Sequence, residues 1–269
     1  MRAAEDCANG AEERGSDAED CANAKAARSS VAGAAARWPL APSGWSLAPG
    51  AIAVWRVELD PGALDDATLD ADERGRAVRF HRELDRRRFV AAHAGFRRVL
   101  ARVSGRAAGA LCFELGPHGR PAVVEHGLGA EFDANLAHAG ALALVATSRA
   151  GRVGVDVEEL AALGDLDLLA ESVLAPPERA AFARLAERER ASWMVRVWAR
   201  KEAVLKALGT GLSLAPERVR LDGDRALVDG KDVGHCVLDL DVGAERAAAL
   251  ALTEDVAARE FVLDRWSVA

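Results

Sequence analysis

The 269 residues predict an α+β fold in two halves, each mixing helices with antiparallel strands. Three observations carry that expectation. Apolar residues recur at helical spacing in two long segments, near 84–103 and 187–208. Short runs rich in Val, Leu, Ile and Ala, too short for helices, lie around each of them. Strand and helix do not alternate regularly along the chain, so a doubly wound parallel sheet is not expected. The division expected is a disordered leader over 1–45, a first half over 46–150 and a second over 151–269.

The leader is assigned on composition. Residues 1–37 are rich in Ala, Glu and Asp and poor in large apolar side chains. Such a segment buries too little surface to offset its ordering entropy. It contains a short repeat, Ala4-Glu5-Asp6-Cys7-Ala8-Asn9 recurring as Ala18-Glu19-Asp20-Cys21-Ala22-Asn23. The fourteen-residue offset is two heptads, but the apolar a and d positions of a coiled coil are missing.

Folding is expected to begin between Trp38 and Gly50. Ala51–Glu58 reads as a strand, Asp65–Val78 as helical, and Leu84–Val103 as a long helix with Phe89, Phe96, Val99 and Leu100 on its apolar stripe. Short strands follow at 111–115, 121–124, 141–147 and 152–157. The segment after Asp165 is helical, and Pro176-Pro177 starts another helix, where a missing N–H costs nothing. The helix over 187–208 is stopped by Gly209. Strands near 219–221, 236–240, 247–252 and 261–266 complete the chain.

Composition excludes several classes. Half of the residues are hydrophobic and 29% are charged, which rules out collagen and wholesale disorder. No apolar run reaches the roughly 18 residues of a transmembrane helix, and no secretory h-region is present, so a soluble cytoplasmic protein is expected. A net charge of −7 argues against a dedicated nucleic-acid binder. The four cysteines form no CxxC pair, which disfavours structural zinc; Cys112 and Cys236 sit in apolar runs and are expected to be buried thiols.

Four features carry chemistry. Eleven arginines lie between Arg74 and Arg106, opposed only by Glu83 and Asp85, a net +9 inside an acidic chain. A guanidinium fork suits bidentate phosphate binding, so an anionic ligand competes with a solvated helix surface and with RNA contact. In Gly154-Val-Asp156-Val-Glu158, a strand would place both carboxylates on one face, either outward in solvent or around a cation such as Mg²⁺. Trp198, Glu202 and Lys206 share one helical face at four-residue spacing. Asn135-Leu-Ala-His138 stands just before an expected strand, and Gly119-Arg120-Pro121 reads as a cationic turn. GxxxxGK[ST] and GxGxxG are absent, which disfavours P-loop and Rossmann enzymes.

In order and spacing these pieces resemble the 4′-phosphopantetheinyl transferases of the larger, surfactin-synthetase-activating type. The resemblance spans about residues 74–214. It rests on Arg79-Phe80…Asp85-Arg-Arg-Arg88-Phe89, Gly119-Arg120-Pro121, Asn135-Leu-Ala-His138, Gly154-Val-Asp156-Val-Glu158 and Trp198…Lys201-Glu202-Ala…Lys206…Gly209-Thr-Gly211-Leu212. It implies two similar halves related by a pseudo-two-fold axis, with coenzyme A in the cleft between them. It implies transfer of phosphopantetheine to a serine of an apo acyl or peptidyl carrier protein, releasing adenosine 3′,5′-bisphosphate. Asp156, Glu158 and Glu202 would hold Mg²⁺; Lys206 would neutralise or protonate the leaving phosphate, and Glu202 or a metal-bound water would take the serine proton. Arg88, Arg97, Arg120, His138 and Lys201 would contact coenzyme phosphates.

The W…KEA variant matches the branch associated with polyketide and nonribosomal peptide synthesis. A monomer that binds neither nucleic acid nor membrane is expected. The rivals are the same transferase serving fatty acid synthase and a non-catalytic anion- or RNA-binding protein. Two departures stand out. Ala137 and Ala139 replace residues that are commonly hydroxylated in the family, and Arg120 stands where Lys is usual.

Overall fold

A computed structural model describes residues 38, 46–59, 66–124, 129, 132–162, 164–253 and 261–266. The expected leader lies outside the described residues except for Trp38, whose indole Nε1–H donates to the Asp241 carbonyl at 2.9 Å.

The elements run β1 (Ile52–Glu58), α1 (Ala71–Ala77), α2 (Glu83–Ser104), β2 (Phe113–Leu115), β3 (Pro121–Val123), β4 (Asp133–Ala139), β5 (Leu142–Ser148) and β6 (Val153–Glu159). They continue as α3 (Leu166–Val173), α4 (Pro176–Phe182), α5 (Glu187–Leu208), β7 (Val219–Asp222), β8 (Arg225–Val228), β9 (Lys231–Leu240), β10 (Arg246–Thr253) and β11 (Phe261–Trp266). One sheet has the order β11-β1-β5-β4, the other β6-β10-β9-β8-β7, and β2-β3 form a separate ribbon. The fold is α+β.

Each sheet buries one face against the other and one against a long helix. Val54, Leu144 and Ala146 of the first sheet meet Val153, Val155, Val157 and Leu250 of the second in one dry cluster. Ala92, Phe96, Val99 and Leu100 of α2 cover the outer face of the first sheet, against Trp55, Val57 and Val145. Ala199, Ala203 and Ala207 of α5 pack on Ala249, Ala251 and Val237 of the second. Fully burying a Val, Leu or Phe side chain contributes roughly 1.5–3 kcal/mol. The four layers are therefore held mainly by these alternating inward residues.

Both long helices match their sequence pattern, and α5 ends where Gly209 enters the left-handed region at φ 73°. Three readings needed correction. The histidine motif does not precede a strand; it lies within β4, whose Ala-rich sequence masks the strand period. β8 and the first half of β9 had no strand expectation. They form a hairpin on Asp229-Gly230, both at positive φ (50° and 78°), and this Asp-Gly pair is the signal that could have shown it. Of the two described cysteines, Cys112 is exposed and Cys236 is buried. In addition, β11, expected within the second half, joins the first sheet and pairs parallel with β1, Ile52 opposite Phe261.

The helix–sheet contact that matters most is α5 on β6. A Cβ at Gly154 would stand 2.0 Å from the Ala203 carbonyl oxygen and 2.5 Å from Ala207 N. Any side chain there forces the helix backbone off the strand. Gly154→Ala is expected to cost about 2 kcal/mol or more, as overpacking against backbone does. Urea denaturation tests this; an unchanged midpoint would show that the helix has room to move.

Candidate active site

β6 presents its residues alternately. Val153, Val155 and Val157 face the other sheet, and Gly154, Asp156 and Glu158 face α5. Because Gly154 lets the helix lie close, Trp198, Glu202 and Lys206 on its shared face meet those carboxylates. Lys206 Nζ donates to Asp156 Oδ1 at 2.6 Å, and Trp198 Nε1 donates to Glu158 Oε1 at 2.9 Å. Trp198 was placed on this face by spacing alone, with no indication that its indole would orient an acid.

The cluster is electrostatically tense. Asp156 is 4% exposed, and its Oδ2 is buried without a hydrogen-bond partner. Burial holds its carboxyl above the usual range against the pull of Lys206. Glu158 is pushed up to about 7 by desolvation and then by Asp156. Glu202 is raised by desolvation and by Asp156, with Lys206 opposing. One ammonium for three acids leaves a deficit of positive charge. The orphaned Asp156 oxygen and the mutual repulsion fit a hard divalent cation. Among the described residues, no group of three or more His, Cys, Asp or Glu side chains is gathered as a ready-made metal cage. Lys206 Nζ lies against one of the acids, and the Trp198 indole engages another.

Beside the acids, around His138 on β4, the neighbouring charges are cationic. His138 on β4 is exposed, but the protein walls around it partly desolvate the ring. That effect, then His93, Lys206 and Arg88, lower its pKa to about 4. It is therefore a neutral imidazole at pH 7. Arg88 is half-buried and has no hydrogen-bond or ion-pair partner among the described residues. An incoming phosphate would favour the protonated form of His138 and pair the Arg88 guanidinium.

Arg97 and Lys201 do not reach the cleft. Arg97 is 0% exposed and donates to Glu73, Asp70 and the carbonyls of Ala108 and Leu111, tying α1 to α2. Lys201 is also 0% exposed: its Nζ pairs with Glu178 at 2.6 Å and donates to the carbonyls of Val173 and Pro216. All three of its protons are committed, so it has none for a ligand. Both are fold residues rather than coenzyme contacts. The arginine run is likewise no uniform wall, since Arg86 and Arg87 pair with Glu83 and Arg76 lies over the Phe89 ring.

Arg120 holds a middle position. Its Nη2 donates to Asp133 Oδ2 and to the Val153 carbonyl, both at 2.7 Å, while Nε and Nη1 are buried without partners. Ala137 turns away from the cleft into the core between the sheets, so a hydroxyl there would not point at the His138 side.

A family model described as the 4′-phosphopantetheinyl transferase superfamily matches residues 152–235, the stretch that holds β6 and α5. The 4′-phosphopantetheinyl transferase HetI of Nostoc sp. (strain PCC 7120 / SAG 25.82 / UTEX 2576) is 32% identical over 184 residues, 67% of this chain and 78% of HetI. The chain belongs to the 4′-phosphopantetheinyl transferase superfamily. It is therefore a transferase. The protein slr0495 of Synechocystis sp. (strain ATCC 27184 / PCC 6803 / Kazusa) is 31% identical over 173 residues, 63% of this chain and 70% of its own. The crystal structure of Thermotoga maritima holo-[acyl-carrier-protein] synthase (AcpS) overlaps 38% of this chain and 62% of that chain. Its identity is 28% and its TM-score 0.32.

The raised acids predict a pH effect of definite sign. Glu158 keeps its proton in the fold up to about pH 7 but loses it near 4.5 when unfolded. Between those values the folded state binds more protons, so metal-free stability falls as pH rises through that window. A divalent cation should reverse this, with Mg²⁺ raising the melting temperature more at pH 8 than at pH 5.5. Scanning fluorimetry at both values checks it; equal shifts would remove Glu158 from the cation site.

Proposed function

We propose that this transferase moves 4′-phosphopantetheine from coenzyme A to a serine hydroxyl of an apo acyl or peptidyl carrier protein, releasing adenosine 3′,5′-bisphosphate. The observation that carries the reading is the convergence of Asp156, Glu158, Glu202 and Lys206 across the β6–α5 contact, facing His138 and Arg88. Phosphoryl transfer needs positioning and charge neutralisation more than covalent chemistry, and this cleft offers both.

His138 and Arg88 receive coenzyme phosphates, with the two partnerless Arg120 nitrogens available beside them. Lys206, 26% exposed, leaves Asp156 to share the charge of the departing phosphate. Glu202, its carboxylate basicity raised by burial, accepts the serine proton. A magnesium ion on Asp156, Glu158 and Glu202 would offset charge developing on the pyrophosphate. We assign the activity to polyketide or nonribosomal peptide synthesis on the W…KEA pattern, and to a cytoplasmic monomer of two halves. No helix among the described residues is long and apolar enough to cross a membrane.

Apo carrier protein mixed with the chain, coenzyme A and Mg²⁺ should gain one phosphopantetheine by mass spectrometry. No adduct on any acyl or peptidyl carrier tried would overturn the reading. The two lysines separate site from scaffold. Lys206→Ala should lower kcat by at least about 100-fold with little loss of stability. Lys201→Ala strands the buried Glu178 carboxylate and should destabilise by about 3–5 kcal/mol. The reverse pattern in paired kinetic and denaturation measurements would exchange their roles.

A further inference from the structure

We propose that Asn135, with Asp133 beside it, is a positioning residue that registers the acidic strand against the histidine strand. β4 and β6 are edge strands of different sheets and share no backbone ladder. Their junction is made by side chains instead. Asn135 Oδ1 accepts the Val155 N–H at 2.8 Å, and Asp133 Oδ2 accepts the Val153 N–H at 2.8 Å. Both steps advance by two residues on each strand, so the strands run in the same direction and in step. By the same register Ala137 meets Val157 but offers no acceptor.

The consequence follows from alternation along each strand. Val155 immediately precedes Asp156, and Asn135 lies three residues before His138. The Asn135 bridge, beside that of Asp133, thus sets the spacing between the cation side on β6 and the anion side on β4. Asn135 and Asp133 are both largely buried, and Asp133 is further held by Arg120 Nη2 at 2.7 Å. A side-chain bridge suits this seam, because a backbone ladder would merge the sheets and close the cleft. The Asn135 amide NH₂ has no partner among the described residues, so the contact needs only the oxygen.

The inference rests on the proposed use of coenzyme A and a divalent cation. Its test measures binding rather than turnover. Coenzyme A is titrated calorimetrically into the full chain with Mg²⁺ and again with EDTA, for wild type, Asn135→Leu and Asn135→Asp. Outer-shell partners of metal ligands commonly account for about 10–100-fold in metal affinity. Asn135→Leu should therefore lose about tenfold of the Mg²⁺-dependent gain in affinity while affinity in EDTA stays within about twofold.

Asn135→Asp keeps the acceptor and should stay within about threefold of wild type. A full Mg²⁺-dependent gain in Asn135→Leu would overturn the proposal. So would a tenfold loss in Asn135→Asp, which carries the test by itself if Asn135→Leu does not fold. If wild type shows no Mg²⁺-dependent binding, the proposed function and this inference fall together. Intact wild-type binding with an unaffected Asn135→Leu sinks the inference alone.

Discussion

The close approach of α5 to β6 across Gly154 is the constraint on which the rest depends. A glycine there is not a matter of backbone freedom but of space: the helix carbonyl of Ala203 occupies the place a Cβ would take. Because the helix lies so near, the four-residue rhythm of Trp198, Glu202 and Lys206 meets the two-residue rhythm of Asp156 and Glu158. Indole meets carboxylate at one step and ammonium meets carboxylate at another. A helix a few ångströms further out would leave the same side chains as separate surface groups.

From that contact the electrostatics follow. Burial raises all three carboxyls, one lysine cannot offset them, and an oxygen of Asp156 is left unsatisfied. On the facing strand the imbalance is inverted, with a neutral His138 kept from protonation by desolvation and surrounding cations. An acid-lined wall and a cation-rich wall at one seam suit a ligand that is itself a metal-bound polyanion. Membership of the phosphopantetheinyl transferases agrees with the proposed use of coenzyme A.

Much of this was legible in the sequence because it depends on local periods. The 187–208 helix and its stop at Gly209, the shared face of Glu202 and Lys206, and the common face of Asp156 and Glu158 all follow from spacing. What could not be read depends on where a side chain finds its partner. Arg97 and Lys201 sit inside motifs dense in functional residues, yet their partners Glu73, Asp70 and Glu178 are distant in sequence and draw them into the core. Charge counting treated eleven arginines alike, while burial and pairing divided them. The seam held by Asn135 and Asp133 was hidden for the same reason, since its acceptors meet backbone N–H groups twenty residues away. Strand β4 was obscured by alanines, which carry little strand signal of their own.

The most direct measurement is a crystal structure of the chain with coenzyme A and Mn²⁺, read by anomalous scattering. One manganese peak bounded by carboxylate oxygens of Asp156, Glu158 and Glu202 is expected, with Lys206 displaced from Asp156 toward the pyrophosphate. Coenzyme A bound with the Lys206–Asp156 pair intact and manganese elsewhere would contradict the cation site.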